Sequence, residues 1–146
     1  MSDREDIDRV AASVRASLAK LNRRLRAQDE PSGIGSTGLS LLGRLFRDGP
    51  SNATDLAMHE RLQPQSLTRA LRALEERGLI ARSTDAADRR RSTIRITDDG
   101  RTVLRQSVRN REAWLARVMT SKLSATEVDL LRLAVSLMER LADAEP

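Results

Sequence analysis

Two sets of side chains in this sequence could do chemistry. One is Asp88-Arg89-Arg90-Arg91, a carboxylate followed by three consecutive guanidinium groups. The other is Pro64, Gln65, Ser66, Thr68, Arg69 and Arg72, which brings an amide, two hydroxyls and two guanidiniums into one short stretch. A guanidinium offers a planar fork of donors to phosphate oxygens and guanine edges, while amides and hydroxyls reach adenine edges and phosphates. Both sets lie within Arg61–Ile96, where nine arginines meet four acids, a surplus equal to the net charge of +5 carried by the whole chain. A surface for a polyanion needs its positive charge gathered where the polyanion lies, and outside this window the charges balance. Only Lys20 and Lys122 are lysines, so the basic chemistry is almost wholly arginine, a bias that a GC-rich coding background would also produce.

Other chemistries are poorly provided for. The absence of cysteine removes disulfides and thiolate catalysis. His59 is the only histidine, too few for a persuasive zinc site or a Ser/His/Asp arrangement, and the glycine-rich 29–38 lacks the P-loop spacing. No cofactor or metal is expected, and an enzyme is not the reading. Phe46 and Trp114 are the only aromatic residues, too few to stack the bases of a single strand, so double-stranded DNA is the better polyanion. No run approaches a membrane span and MSDREDIDRV is no signal peptide, so a cytoplasmic location without membrane partners is expected.

The elements that must position these groups follow from periodicity. Ile7, Ala11, Val14, Leu18, Leu21 and Leu25 make a narrow a/d seam on a helix over 5–28, which calls for another helix as partner. Pro31 and the glycines at 33, 35 and 38 read as a linker over 29–38, with loose coupling between what it joins. A short helix over about 37–47 follows, then one capped by Asn52 that closes near Glu60. Pro64 suits the first turn of the next helix, over about 64–77, where Leu67, Ala70, Leu71 and Leu74 face inward and Gln65, Arg69 and Arg72 face out. Gly78 ends it. A strand from Leu79, a tip at STDAADRRRS and a strand at 93–96 make a hairpin over about 79–97. Thr97 caps a helix over about 98–121, and Ser124 with Glu127 forms a capping box for a last helix to about Ala142 that is apolar on two faces.

Three helices and a two-stranded hairpin, flanked by long helices, resemble the MarR family of winged helix-turn-helix transcriptional regulators. The residues carrying the likeness are ATDLAMHERL (53–62), SLTRALRALEERGLIAR (66–82), DAADRRR (85–91) and IRITDDG (94–100). The resemblance implies a single chain over 1–146, mainly α with a small two- or three-stranded β-wing. Within it, 36–97 would be the DNA-binding lobe, and 5–30 with 98–146 a helical dimerisation region. It implies a homodimer that reads a pseudopalindromic duplex site, in most such proteins as a repressor. The helix at 64–77 would enter the major groove. Arg90 would reach the minor groove from the wing tip, oriented by Asp88, although the triple Arg89-Arg90-Arg91 leaves open which arginine holds that place. It further implies a small aromatic or lipophilic effector between the dimer helices and the lobe, a place where Trp114 would fit if it is not simply packing.

Plainer readings stand beside these. Residues 65–69 would look the same on an ordinary exposed helix face, and Arg72 has Glu76 as an i, i+4 partner. The alternatives to an effector-controlled regulator are a DNA-binding regulator without one and a dimeric helical adaptor whose basic surface meets an acidic protein.

Overall fold

The computed structural model describes residues 3–29, 34–84 and 92–144. Six helices and a hairpin follow one another: α1 (Asp3–Arg26), α2 (Gly35–Asp48), α3 (Ala53–Glu60), α4 (Pro64–Glu76), β1 (Ile80–Thr84), β2 (Ser92–Ile96), α5 (Asp98–Lys122) and α6 (Ala125–Ala142). The two strands are antiparallel, with Ile80 opposite Ile96, Arg82 opposite Ile94 and Thr84 opposite Ser92. The third strand of the wing is reduced to one residue. Ser51 bridges Ile94, its N–H donating over 3.0 Å and its carbonyl accepting over 2.7 Å.

The core sits under α2, α3, α4 and the hairpin. Leu41, Leu42 and Leu45 of α2 meet Leu56 of α3, Leu71 and Leu74 of α4 and Ile94 of β2, all fully buried. Alternation on β2 turns Ile94 and Ile96 inward and leaves Thr93 and Arg95 exposed, as a half-buried strand requires.

The caps expected from the sequence form. Asn52 accepts from the Asp55 N–H, Thr97 from the Gly100 N–H, and Ser124 with Glu127 closes a reciprocal capping box. The linker expected over 29–38 is corrected on its C-terminal side. Gly35, Ser36, Thr37 and Gly38 already belong to α2, and Gly38 is buried. A methyl group on Gly38 would stand 3.1 Å from Ile34 Cβ and 3.4 Å from Leu74, so glycine here lets α2 approach α4 closely rather than loosening the chain. Gly33 lies outside the described residues.

The outer helices differ from the lobe. Ile7, Leu18 and Leu21 of the α1 seam are exposed, and α6 has no buried residue although it carries Leu130, Leu133, Leu137 and Leu141. Among the described residues, no helix is long and apolar enough to cross a membrane.

Candidate nucleic-acid interface

Helix α4 is held at both ends by the same backbone device. At its C-terminus Gly78 takes φ +68°, its N–H donates to the Glu75 carbonyl and the Leu79 N–H donates to the Leu74 carbonyl. This is the Schellman closure, which uses up two orphan carbonyls of the last turn. Ahead of α4, the turn from α3 closes the same way. The Arg61 N–H donates to the Met58 carbonyl and the Leu62 N–H to the Ala57 carbonyl, with Arg61 at φ +50°. Pro64 then occupies the first turn, where its missing N–H leaves nothing unpaired.

Two polar networks brace this arrangement, and neither was foreseen from the sequence. The Glu60 carboxylate accepts from Arg44 Nε (2.7 Å) and Ser40 Oγ (2.6 Å), tying the end of α3 to α2. Burial alone would raise the Glu60 pKa. The hydrogen bonds from Arg44 and Ser40 outweigh it, so the group lies below its ordinary value and the pair stays ionic. Asp29, just beyond α1, accepts from Arg111 and Ser107 of α5. Sequence distance hid both: a partner 16 or 82 residues away leaves no local periodic mark.

With Leu67, Leu71 and Leu74 buried, α4 turns Pro64, Gln65, Ser66, Thr68, Arg69 and Arg72 to solvent. Pro64, Gln65, Thr68, Arg69 and Arg72 line one shallow, open concavity, and Ser66 lies on the flank. Thr68 Oγ donates back to the Pro64 carbonyl (2.9 Å), which occupies its proton and leaves its lone pairs outward. Arg72 Nε donates to Glu76 (2.8 Å), the i, i+4 pairing weighed above; both side chains are largely exposed, so the pair is weak and easily exchanged for another anion. Gln65 and Arg69 have no side-chain partner among the described residues. Arg82 of β1 donates to Glu75 (3.1 Å) and joins the hairpin to α4. The expectations for Asp88, Arg89, Arg90 and Arg91 fall on residues outside those described.

Other residues singled out by type are placed more plainly. His59 is exposed in the last turn of α3, and among the described residues no group of three His, Asp or Glu could hold a metal ion. Trp114 is half-buried on α5, with the Arg24 guanidinium of α1 5.8 Å from its ring centre. Phe46 of α2 lies under Arg101 of α5 at 5.5 Å.

Comparison with known proteins gives this geometry its context. The sequence model of the MarR family matches residues 35–92. The chain is 30% identical to the HTH-type transcriptional regulator Mb0904 of Mycobacterium bovis, over 94% of this chain and 96% of that protein. A crystal structure of a transcriptional regulator protein from Pseudomonas aeruginosa PA01 superposes with a TM-score of 0.84 at 32% identity, covering 99% of this chain and all of the other. The fold, at 22% identity, is also that of a point mutant of MepR from S. aureus bound to an oligodeoxyribonucleotide, with a TM-score of 0.64 over 92% of this chain and 98% of that one.

Proposed function

The chain belongs to the MarR family of winged helix-turn-helix transcriptional regulators, and from that premise we propose that it represses transcription as a homodimer bound to a pseudopalindromic duplex operator. Its family membership makes it a DNA-binding regulator rather than an enzyme. The reading residues are Gln65, Ser66, Thr68, Arg69 and Arg72 on α4, set in the major groove behind Pro64. Asp88 and Arg89–Arg91 at the wing tip add a minor-groove anchor. The observation that carries the reading is the outward polar face of α4, rigidly backed by a leucine core and flanked by two closed turns. A protein with this fold bound to an oligodeoxyribonucleotide supports DNA as the partner.

The second copy is supported by α1 and α6. Exposed Leu130, Leu133, Leu137 and Leu141 on a helix with no buried residue are costly in water, and burying them against a partner removes that cost. Two copies would present α4 to half-sites about one helical turn, ~10 bp, apart. An effector is supported by an apolar groove of about 510 Å³ between α2 and α5, lined by Phe46, Leu104 and Val108 and rimmed by Arg47, Arg105 and Arg109. A lipophilic or aromatic ligand there would separate α2, which is part of the core that backs α4, from α5, which leads to α6. Such a ligand shifts the dimer only by as much as it discriminates between the two states.

Selection from random DNA with purified protein, followed by sedimentation of the complex, tests the proposal. A two-fold symmetric motif occupied by two chains is expected. A protein adaptor would instead give weak binding without sequence preference, erased by salt, and that result would remove the proposal.

A further inference from the structure

The two turns that bound α4 are built alike but filled differently. Each places one residue in the left-handed region and closes through a pair of carbonyls: Gly78 at φ +68° after α4, Arg61 at φ +50° before it. Glycine enters that region freely, whereas a side chain sets its Cβ against the neighbouring carbonyl. Among the described residues, Arg61 is the only non-glycine residue with positive φ. Glycine would perform its backbone task with less strain, as Gly78 does one helix later.

The Arg61 side chain gives the fold nothing visible in return. It is exposed and makes no hydrogen bond or ion pair with the described residues. The next residue, Leu62, packs against the core and fixes the direction of the turn. Arg61 therefore stands at a rigid point, three residues before Pro64, and its Cα is at most about 11 Å from that of Pro64 along the chain. An extended arginine adds several ångströms beyond that. The edge of a groove entered by the first turn of α4 is a phosphate backbone, and a guanidinium is suited to its oxygens.

We propose that Arg61 is a phosphate-contacting residue: a guanidinium held in a strained turn at the N-terminal approach to α4, binding the DNA backbone beside the groove that α4 enters. This rests on α4 being the reading helix. It adds a backbone contact outside α4 and the wing, one that positions the protein without choosing bases.

A structural role and a phosphate role predict opposite signs for the same substitution. Arg61→Gly and Arg61→Asn remove the guanidinium and relieve or tolerate the left-handed conformation. With the duplex recovered by selection using the wild-type protein, both variants are expected to bind about 3- to 10-fold more weakly at moderate salt. The slope of log K against log salt should become shallower by about 0.9 for each phosphate that Arg61 no longer neutralises. Binding to an unrelated duplex should weaken by a similar factor, because a phosphate contact carries no sequence. Melting temperature should stay level or rise, and Arg61→Lys should retain most of the salt slope. Unchanged affinity and slope in both variants would overturn the inference while leaving the reading helix intact. A fall in melting temperature in both variants, matching the loss of binding, would assign Arg61 to the fold instead. Loss of base preference in the selected motif with Gln65→Ala, alongside no effect of Arg61→Gly, separates failure of this inference from failure of α4 as the reader.

Discussion

Asp29 and Arg111 are joined by two parallel hydrogen bonds across 82 residues of sequence: Arg111 Nε donates to Oδ1 over 2.8 Å and Nη2 to Oδ2 over 2.5 Å. Ser107 Oγ donates to the same Oδ1 over 2.6 Å. The carboxylate is mostly shielded, with 11% of its side chain exposed against 29% for Arg111. Fork-to-fork pairs of this kind fix orientation as well as distance. Here the pair fixes where the chain leaves α1 relative to α5.

Replacing that carboxylate by an amide removes the charge and one of its two acceptor oxygens, setting an NH2 donor against the donors of Arg111 or Ser107. Asp29→Asn is expected to lower stability by about 2 kcal/mol in urea unfolding at fixed protein concentration. The pH dependence follows from the pKa of Asp29. Burial raises it, but hydrogen bonds from Arg111 and Ser107 and the nearby positive charges of Arg111 and Arg26 outweigh burial, so it lies below 3.8 in the folded chain. A depressed folded pKa means the unfolded state binds the proton first, so the contribution is complete above about pH 3.8 and is lost as pH falls through the folded value. The stability gap between wild type and Asp29→Asn should thus be constant near neutrality and close in acid. A gap that persists unchanged to about pH 2 would deny the ion pair its role.

Gly100 lies in the first turn of α5, directly against the Leu79 carbonyl. A Cβ there would overlap that oxygen and stand 2.8 Å from Ile96 Cγ1. The carbonyl cannot move aside, since it accepts from the Thr97 N–H (3.1 Å), and Thr97 Oγ donates to the Gly78 carbonyl (2.6 Å). Gly100→Ala should therefore destabilise the lobe by on the order of 3 kcal/mol, read as a lower denaturation midpoint. Gly49→Ala is a poor control, because Gly49 has positive φ; Gly43→Ala is a milder one, its new methyl meeting the end of Arg47 at 3.2 Å and Leu104 at 4.0 Å. Equal melting of Gly100→Ala and wild type would contradict the close packing of α5 on the end of α4.

Gln65 and Arg90 should fail differently. Gln65→Ala is expected to relax base preference at one or two positions per half-site, visible as a changed motif in selection from random DNA. Arg90→Ala should cost about 1–3 kcal/mol in site affinity and flatten the salt dependence. If Arg90→Ala binds like wild type across a salt series while Arg89→Ala or Arg91→Ala does not, the anchor belongs to a neighbouring arginine of the triple.

Much of the lobe is legible in the sequence because its signals are local. Asn52, Thr97 and Ser124 cap helices through atoms three residues away, and Leu67, Leu71 and Leu74 mark the inward face of α4 by helical spacing. The exposed set from Gln65 to Arg72 follows by subtraction. Gly35 and Gly38 mislead, because a glycine that opens a loop and one that admits a neighbouring helix look alike in a sequence. Gly38 becomes intelligible only with Leu74 in place 3.4 Å from where its Cβ would be. Arg61 misleads by its charge, which hides a backbone conformation usually announced by glycine.

The sequence by itself determined the order of elements, the caps, the polar face of α4 and the concentration of arginine between residues 61 and 96, since each depends on neighbours along the chain. The tertiary structure alone decided that Glu60 is spent on Arg44 and Ser40, that Asp29 locks α1 to α5, and that Arg61 occupies a turn made for glycine. Those depend on which groups meet in space and on the sign of one dihedral angle, and neither quantity is written in the spacing of residue types.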